Sequence, residues 1–541
     1  MNKKILSSAL TIVLYAALSC FGQEFTPDEE YNPYEDMEQM QLKAEVPLEQ
    51  QKELTVSFST TVLNLDPHTS AYAQEAQILN SLYEGLFCYG HQMANPVNCL
   101  CTEYRTSRDK LYWTFTLRSD AKFSDGTPIT SQHVKDSWLH LIATPKAYYS
   151  SFLDIIEGAK EYRLGTGSAE DVGIYARDPH TLSVQLVNPV SHLPKILCHH
   201  AFSVIDIEKK NYSGPYKLVE QKADKVILEK NEYYFDKKNI LIPKITIIQT
   251  ENPEEASFLF NTGKVQWIDG ECDTNKLLDK NAIKLERSFG TTFFFFKEGN
   301  SPYLTEKVRQ ALMEATPWEL LRNDSFFKAS TFVYPLAGYT PPAPLDYTDF
   351  DHAKNLMIEA KKELGLTEKD VIDLSIFIHE GTYIYQQAKM IKHAWARVGV
   401  NLKIDVYRGS GYYNQISSSK ADLFTYTWVG DFYDPITFLE LFKGDSNLNE
   451  SNWKNEKYDE LINKANITMD PFNRYNLLSE AEDILLSSGM ILPINFSLGI
   501  NIVNTEELGG WSDSPLNIHP YKYLFFKEVK STSSFGVVAL K

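Results

Sequence analysis

The stretch LFTYTWVGDFYDPITFLELF, residues 423–442, decides how the rest of the chain is interpreted. Its β-branched and aromatic first part, Leu423–Val429, predicts a buried strand. Asp434 before Pro435 predicts a helix N-cap with a first-turn proline, so the Asp434 carboxylate has a structural role. Asp431 lies just past the carboxyl end of the strand, where open α/β sheets place their ligands. The stretch therefore predicts an α/β sheet with a ligand-binding carboxylate at its edge.

The residues around Asp431 are aromatic. Trp428, Phe432 and Tyr433 flank the carboxylate in sequence, and we predict that they share one ligand site with it. A carboxylate in an aromatic surrounding is suited to a positively charged ligand group. The alternatives are an Asx-turn or surface role for Asp431 and a pure core role for Trp428.

The two halves of the chain have different strand patterns. Region 174–250 contains several short strands joined by short polar turns, which is typical of antiparallel sheet. The second half alternates strand and helix, which is the signature of a doubly wound parallel sheet. The predicted elements are strand 373–379, helix 383–398, strand 400–408, helix 412–420 and strand 423–429.

Length and charge restrict the function classes. A chain of 541 residues is too long for one simple core and implies at least two lobes. Its formal net charge of −18 argues against nucleic acid and anionic membrane surfaces as partners.

The N-terminal residues are predicted to be a targeting signal and a tether that are not part of the folded domains. Residues 1–22 combine two lysines with a short apolar stretch and predict an export signal peptide. Residues 23–53 are acidic and read as a solvated tether. Small residues before Cys20 suggest a bacterial lipoprotein signal with Cys20 as the lipidated residue, and the alternative is ordinary cleavage near Gly22.

The familiar catalytic and metal-binding motifs are absent from the sequence. It contains no GxSxG, HExxH, GxxxxGK[ST] or GxGxxG in a suitable context. The cysteines after Cys20 are odd in number and irregularly spaced, so they predict no disulfide framework. Cys198, His199 and His200 lie between apolar residues, which favours packing over metal binding. The sequence predicts no enzyme and no cofactor.

The whole chain resembles the large oligopeptide- and dipeptide-binding class of extracytoplasmic receptors that serve ABC importers, the family-5 solute-binding proteins. No single motif is specific, but together they are, and they are spread over nearly all of the mature chain. The matching segments are LNLDPH (63–68), LYEGLF (82–87), WTFTLRSDAKFSDGTPITSQHVKDSW (113–138), EKVRQALMEA (306–315), WVGDFYDPITFLELF (428–442), NEKYDELINKA (455–465) and PLNIHPY (515–521).

The resemblance implies a bilobed α/β fold of the periplasmic-binding-protein type, in its class II, large three-domain variant, with a hinge between the lobes. The first lobe would comprise 54–85, 193–289 and 500–541. The second lobe would comprise 290–499, and 86–192 would form an inserted smaller domain. The ligand would lie between the lobes.

The resemblance also implies roles for individual residues. In the family, the aspartate at the position of Asp431 receives the α-ammonium group of the ligand, and a pocket tyrosine falls at Tyr149 or at the neighbouring Tyr148. The side chains that receive the ligand carboxylate are missing here. Arg408, beside Gly409, is a candidate replacement, and the alternative is a solvated surface charge. The departures are Ile416 and Thr425 in place of arginines, Ile384 for a histidine, Gly409 for a tryptophan and Ala71 for an acid.

The sequence thus predicts an exported, monomeric solute receptor that binds a short peptide or peptide-like amine and delivers it to an ABC permease. It would act in the periplasm or at the outer face of the cytoplasmic membrane, touching the membrane only through a lipid on Cys20. Three alternatives stay open. They are a non-peptide solute such as a metal chelate, sugar or opine, a surface interaction protein or adhesin, and an exported hydrolase.

Overall fold

A computed structural model describes residues 52–59, 63–90, 96–190, 192–323, 325–409 and 411–527. The predicted signal peptide, Cys20 and nearly all of the predicted tether lie outside the described residues. Among the residues described, no helix has both the length and the apolar character needed to cross a bilayer.

Ten of the strands form a single mixed sheet. The strands of the described chain are β1 (Leu54–Phe58), β2 (Phe87–Tyr89), β3 (Pro96–Asn98), β4 (Cys101–Thr106), β5 (Tyr112–Leu117), β6 (Ile174–Asp178), β7 (Thr181–Gln185), β8 (Tyr216–Gln221), β9 (Lys225–Lys230), β10 (Lys244–Gln249), β11 (Trp267–Asp269), β12 (Ile283–Phe296), β13 (Ile372–His379), β14 (Val400–Tyr407), β15 (Leu423–Val429), β16 (Ile491–Val503), β17 (Leu508–Gly509) and β18 (Phe525–Phe526). The order across the ten-stranded sheet is β14-β13-β15-β12-β16-β11-β1-β10-β9-β8.

The two long strands β12 and β16 connect the halves of this sheet. Their pairing is interrupted in the middle, where residues 288–290 of β12 stand opposite the single residue Ser497. On one side of this bulge β16 pairs with β11, and on the other side β12 pairs with β15. A bulge bends and twists a ladder locally, so the two halves of the sheet meet at a built-in irregularity.

The second half of the chain confirms the predicted parallel arrangement. β13 pairs in parallel with both β14 and β15, and helices follow β13 and β14 as the sequence predicts. β15, however, pairs antiparallel with β12 on its other side. The bilobed fold therefore has one sheet running through both predicted lobes.

The first half confirms the antiparallel prediction for β8, β9 and β10. A separate four-stranded antiparallel sheet has the order β4-β5-β7-β6. The described helices are α1 (Ala73–Leu82), α2 (Ser131–Ala143), α3 (Ala159–Arg163), α4 (Leu193–Ile196), α5 (Pro253–Asn261), α6 (Glu306–Glu314), α7 (Trp318–Leu321), α8 (Phe350–Glu363), α9 (Thr382–Ala396), α10 (Tyr412–Ile416), α11 (Ile436–Leu439), α12 (Glu456–Asn466) and α13 (Pro471–Ser487).

Aromatic residues fill the core on both faces of the central strands. The run Phe293–Phe296 in β12 is buried on every residue, as expected for a strand covered on both sides. Phe295 and Phe424 stack with ring centroids 5.5 Å apart across β12 and β15. This packing fixes β15, and with it the position of the loop that carries Asp431.

Candidate functional site

A cavity of about 490 Å³ lies at the carboxyl end of β15. Residues from distant parts of the chain line it, and we call it the central cavity. The lining includes residues 71–76, Tyr149, the pair His199 and His200, residues 411–414 and residues 426–431. Its size is typical of a small-molecule site.

Asp431 contributes a buried carboxylate to this cavity. The residue is 9% exposed, and its Oδ2 accepts a 2.8 Å hydrogen bond from the Thr437 hydroxyl. The backbone N–H of Asp431 donates to the same hydroxyl oxygen. Burial raises the pKa of the Asp431 carboxyl to about 7, although hydrogen bonds from Thr437 and Tyr149 lower it. Ionisation of the buried Asp431 carboxyl therefore costs free energy unless a positively charged group lies beside it.

The histidine beside Asp431 does not supply that charge. His199 Nε2 lies 3.5 Å from Asp431 Oδ1. His199 Nδ1 accepts from the backbone N–H of Ala201, so the ring proton is on Nε2, facing the carboxylate. Burial and the neighbouring His200 hold the pKa of His199 well below its usual range. Asp431 is thus surrounded by neutral donors.

Asp434, three residues further on, has the opposite environment. Its two carboxylate oxygens accept hydrogen bonds of 2.7 and 2.8 Å from Arg474. Burial raises the pKa of Asp434, but the Arg474 guanidinium outweighs it and lowers the pKa to about 2. Helix α11 is assigned from Ile436, and the preceding Pro435 already has helical dihedral angles. Asp434 Oδ1 accepts from the Ile436 N–H, so Asp434 caps the helix and Pro435 lies in its first turn, as predicted.

A row of aromatic rings forms one wall of the central cavity. The ring centroids of Tyr72 and Tyr413 are 5.8 Å apart, and those of Tyr413 and Tyr426 are 4.9 Å apart. Trp428 continues the row 6.1 Å beyond Tyr426. The Trp428 indole N–H donates to the backbone oxygen of Thr437, which fixes the ring against the cavity. Such a wall accepts apolar groups and cations on its faces.

The predicted site residues divide into two groups. Asp431, Trp428, Tyr149 and Gly409 line the central cavity, and Tyr149 is 2% exposed with its ring 4.1 Å from that of His199. Phe432 and Tyr433 do not line it.

The rings of these two residues face other parts of the protein. Phe432 packs against Phe152, with ring centroids 5.4 Å apart, and Tyr433 packs against Phe289, with ring centroids 4.7 Å apart. Both therefore support the loop that carries Asp431.

Arg408 also lies away from the cavity lining. Its side chain is 78% exposed and its Nε is 3.4 Å from Glu380. This placement matches the solvated surface charge that was the alternative to carboxylate binding.

The residues at the expected cation positions are packing residues. Ile416, Thr425 and Ile384 are buried and do not line the central cavity. The described part of the lining contains no lysine or arginine, and its acids are Glu75 and Asp431. This cavity can bind a positive charge but offers no cationic side chain to a carboxylate.

Sequence reasoning missed His199 and His200. Both were expected only to pack, and both are buried, but both also line the central cavity. They belong to the turn after α4, far in sequence from β15. The sequence offered one hint, namely that two histidines interrupt an apolar segment. That pattern does not show which cavity the imidazole rings face.

One group of side chains could in principle hold a metal. Donor atoms of Glu84, Cys88 and Cys99 lie within 4.8 Å of one another. Lys522 Nζ already lies 2.9 Å from Glu84 Oε1 and 3.4 Å from Cys88 Sγ. The ammonium group takes the place that a cation would occupy, so we assign no metal there.

The chain matches the family model of bacterial extracellular solute-binding proteins, family 5 Middle, over residues 95–450. It is 26% identical over 506 residues to the dipeptide-binding protein DppE of Bacillus subtilis, covering 88% of this chain and 91% of that protein. It is 25% identical over 480 residues to the oligopeptide-binding protein OppA of the same species, covering 82% of this chain and 87% of that protein.

Solved structures show the same fold. The murein tripeptide-binding protein MppA of Escherichia coli superposes with a TM-score of 0.79 at 23% sequence identity, covering 88% of this chain and 99% of that one. The unliganded open form of MppA superposes with a TM-score of 0.61, covering 88% of this chain and 98% of that one.

Proposed function

This chain belongs to the bacterial extracellular solute-binding proteins of family 5, and from that premise we propose that it binds short peptides or peptide-like amines. The ligand lies in the central cavity, with its α-ammonium group on Asp431. The relatives DppE and OppA are named for dipeptide and oligopeptide binding. Relatives of this kind are transport receptors, which supports a binding protein over an exported hydrolase.

One observation carries the proposal, and it is the contrast between Asp431 and Asp434. Both carboxylates are buried in the same loop, but Asp434 has the guanidinium of Arg474 while Asp431 has only neutral donors. A buried carboxylate left without a cation destabilises the empty protein. Asp431 faces a cavity large enough for a ligand, so we assign the missing cation to the ligand.

The described lining of the central cavity contains no lysine or arginine that could bind the carboxylate of a ligand. The carboxylate of a bound peptide would lie toward solvent or be absent, because no described cationic side chain lines the cavity to receive it. Arg408 could serve only if its exposed side chain turned inward.

The remaining parts of the proposal concern the whole protein. The N-terminal segment acts as an export signal, cleaved either before a lipidated Cys20 or near Gly22 without a lipid, and the mature protein is a monomer that delivers its ligand to an ABC permease. The domain limits near residues 289 and 499 are supported by the bulge at 288–290 opposite Ser497. Family members act outside the cytoplasm, in keeping with the extracellular description of the family.

Replacing Asp431 by asparagine tests the ammonium assignment. We expect Asp431→Asn to weaken binding of a free-amine tripeptide by about 100-fold or more, because the buried ammonium loses its charged partner. An N-acetylated tripeptide should bind weakly to both proteins. Isothermal titration calorimetry measures both affinities, and mass spectrometry of ligands released from the purified protein identifies the natural ligand.

Asp269→Asn is the matched control. Burial raises the pKa of Asp269 to about 7 as it does for Asp431, but Asp269 does not line the central cavity. This variant should bind the tripeptide as the unmodified protein does. Equal affinities of the Asp431→Asn and Asp269→Asn proteins, or release of only sugars or metal chelates, would contradict the proposal.

A further inference from the structure

Two cysteines of one hairpin lie close together. The Sγ atoms of Cys88 and Cys99 are within 4.8 Å of each other, and all five described cysteines are free thiols. Cys88 is in β2 and stands opposite Val97 of β3. Cys99 directly follows β3, and its N–H donates to the backbone oxygen of Leu86. The ladder therefore places both cysteine side chains on the same face of the hairpin, where they can meet.

A buried ammonium group faces this pair. Lys522 Nζ lies 3.4 Å from Cys88 Sγ and 2.9 Å from Glu84 Oε1. A hydrogen bond from the Cys99 thiol lowers the pKa of the Cys88 thiol, and the Lys522 ammonium lowers it further, against the effect of burial. Burial holds the pKa of Cys99 well above its usual range. Because the thiolate is the form that attacks a disulfide, Cys88 is the attacking thiol and Cys99 is the second thiol of the pair.

A bond between the two sulfurs suits the charges of this cluster. Oxidation removes hydrogen from the thiols and leaves the ion pair of Lys522 with Glu84 in place, so neither buried charge loses its partner. The sulfurs have to approach from at most 4.8 Å to the roughly 2 Å of an S–S bond. The hairpin already holds the two backbones, so rotation of the two side chains can supply this movement.

The hairpin also supports the loop that carries Asp431. Tyr89, the residue after Cys88, donates from its hydroxyl to the backbone oxygen of Asp431 at 2.6 Å. A cross-link at Cys88 would therefore fix a strand that contacts the ligand-binding loop of the central cavity.

We propose that Cys88 and Cys99 form a disulfide by exchange with a disulfide-bonded oxidant. The Cys88 thiolate attacks one sulfur of the oxidant, which forms a mixed disulfide and releases the first oxidant thiolate. Cys99 loses its proton and attacks Cys88 Sγ, which releases the second oxidant thiolate. The two cysteines give up two electrons and two protons, and the oxidant is reduced to two thiols. Exported proteins meet such oxidants outside the cytoplasm, where members of this family act.

Glutathione disulfide tests the proposal on the purified protein. The protein is first reduced with dithiothreitol, freed of it and incubated with glutathione disulfide, and the remaining thiols are then alkylated. Trypsin would leave Cys88, Cys99 and Cys101 in one peptide, because no lysine or arginine lies between them. Chymotrypsin separates them by cleaving after Tyr89 and Leu100, and mass spectrometry of the unreduced digest identifies the linked peptides.

We expect the Cys88 peptide to be joined to the Cys99 peptide. Full alkylation of both cysteines, or a bond from Cys88 to Cys101 or Cys198, would overturn the proposal. The measurement needs neither a ligand nor export, so its failure would leave the proposed function untouched.

Thermal melts test whether the bond stabilises the fold. The oxidised protein should have a Tm roughly 2–4 °C above that of the reduced protein, because the cross-link restricts the unfolded chain. Cys99→Ala should abolish this difference. Cys272→Ala is the matched control and should keep it, since Cys272 packs against a separate cluster. The difference is measured between two redox states of one protein, so a lower stability of a variant does not obscure it. A difference that persists in Cys99→Ala would contradict the assignment.

Discussion

Two aspartates three residues apart show how environment assigns a role to a carboxylate. Asp434 is neutralised by Arg474 inside the protein and keeps a low pKa of about 2. Asp431 has neutral donors only, and burial raises its pKa to about 7. Asp434 thus forms a structural ion pair with Arg474, whereas Asp431 has no cationic side chain beside it among the described residues. Perturbed groups such as Asp431 are typical of functional sites.

The raised pKa of Asp431 predicts a pH optimum for ligand binding. The empty protein holds a proton on Asp431 below about pH 7, whereas an ammonium-bound carboxylate stays ionised, so binding below that pH releases a proton. Affinity for a free-amine tripeptide should therefore fall about tenfold per pH unit below about pH 7. Above about pH 8 the ligand amine loses its proton, and affinity falls again.

Calorimetry at about pH 5.5, 7.5 and 9 measures this dependence. The Asp269→Asn control should show the same profile, because Asp269 does not line the cavity. Asp431→Asn should lose the acidic limb, since His199 stays neutral over this range. An affinity that stays constant between about pH 5.5 and 7.5 would contradict the assignment of this limb to Asp431.

At the scale of elements, strand β12 combines two functions. Its Phe293–Phe296 run anchors β15 through core packing, while the bulge at 288–290 separates the two halves of the sheet. Gly290 lies in this bulge and pairs with Val429 at the end of β15. A Cβ at residue 290 would overlap Ser497 Oγ and would lie 2.7 Å from the backbone oxygen of Trp428. Glycine is needed there because a Cβ would overlap the Trp428 backbone oxygen and the Ser497 side chain.

Replacing Gly290 by alanine should destabilise the protein. The added methyl group overlaps the Trp428 backbone oxygen, which cannot rotate away as a side chain could. We expect the free energy of unfolding to fall by about 1–3 kcal/mol, as for other overpacked sites. Urea denaturation measures the difference.

Gly381→Ala is the control for this change. Its Cβ would meet only the His379 ring, at 3.7 Å, which is an ordinary contact. The control should therefore leave the unfolding free energy within about 0.5 kcal/mol of the unmodified value. Equal unfolding free energies of the Gly290→Ala and Gly381→Ala proteins would contradict this prediction, because the bulge would then accommodate the methyl group without loss of stability.

At the scale of the whole molecule, the two sides of the central cavity contact each other directly. The Tyr72 hydroxyl donates to Asn414 Oδ1 at 2.6 Å, and the Tyr89 hydroxyl donates to the backbone oxygen of Asp431 at 2.6 Å. Lys195 Nζ donates to the backbone oxygen of Tyr433 at 3.1 Å. The bonds of Tyr72 and Lys195 join the two predicted lobes, and the bond of Tyr89 joins the predicted inserted domain to the second lobe. We expect them to favour a closed arrangement over an open one.

Removing one of these bonds should shift the balance between open and closed forms. Tyr72→Phe keeps the ring on Tyr413 but loses the bond to Asn414. We expect a larger radius of gyration for the ligand-free protein in small-angle X-ray scattering. The dissociation constant should rise roughly two- to tenfold, the effect of one hydrogen bond.

Saturating ligand should return the Tyr72→Phe protein to the compact value. Tyr347→Phe is the control, because this tyrosine is 75% exposed and does not line the cavity. It should change neither the radius of gyration nor the affinity. Identical scattering and affinity for Tyr72→Phe and Tyr347→Phe would rule out a role of this bond in closure.

Local sequence patterns were sufficient to predict individual strands and helices and to identify Asp431 as the candidate ligand-binding carboxylate. Strand Leu423–Val429 and the parallel arrangement of β13, β14 and β15 follow from periodicity, which depends on near neighbours. The cavity position of Asp431 followed from its place at a strand end. Its role in ligand binding stays a prediction.

Which side chains face the cavity depends on tertiary packing and could not be predicted from local sequence patterns. Tertiary packing brought His199 and His200 beside Asp431 from a turn more than 200 residues earlier, and it placed Arg408 in solvent. It also turned Phe432 and Tyr433 toward the core. The direction of a loop side chain depends on what distant segments pack against it, and no local pattern encodes those contacts.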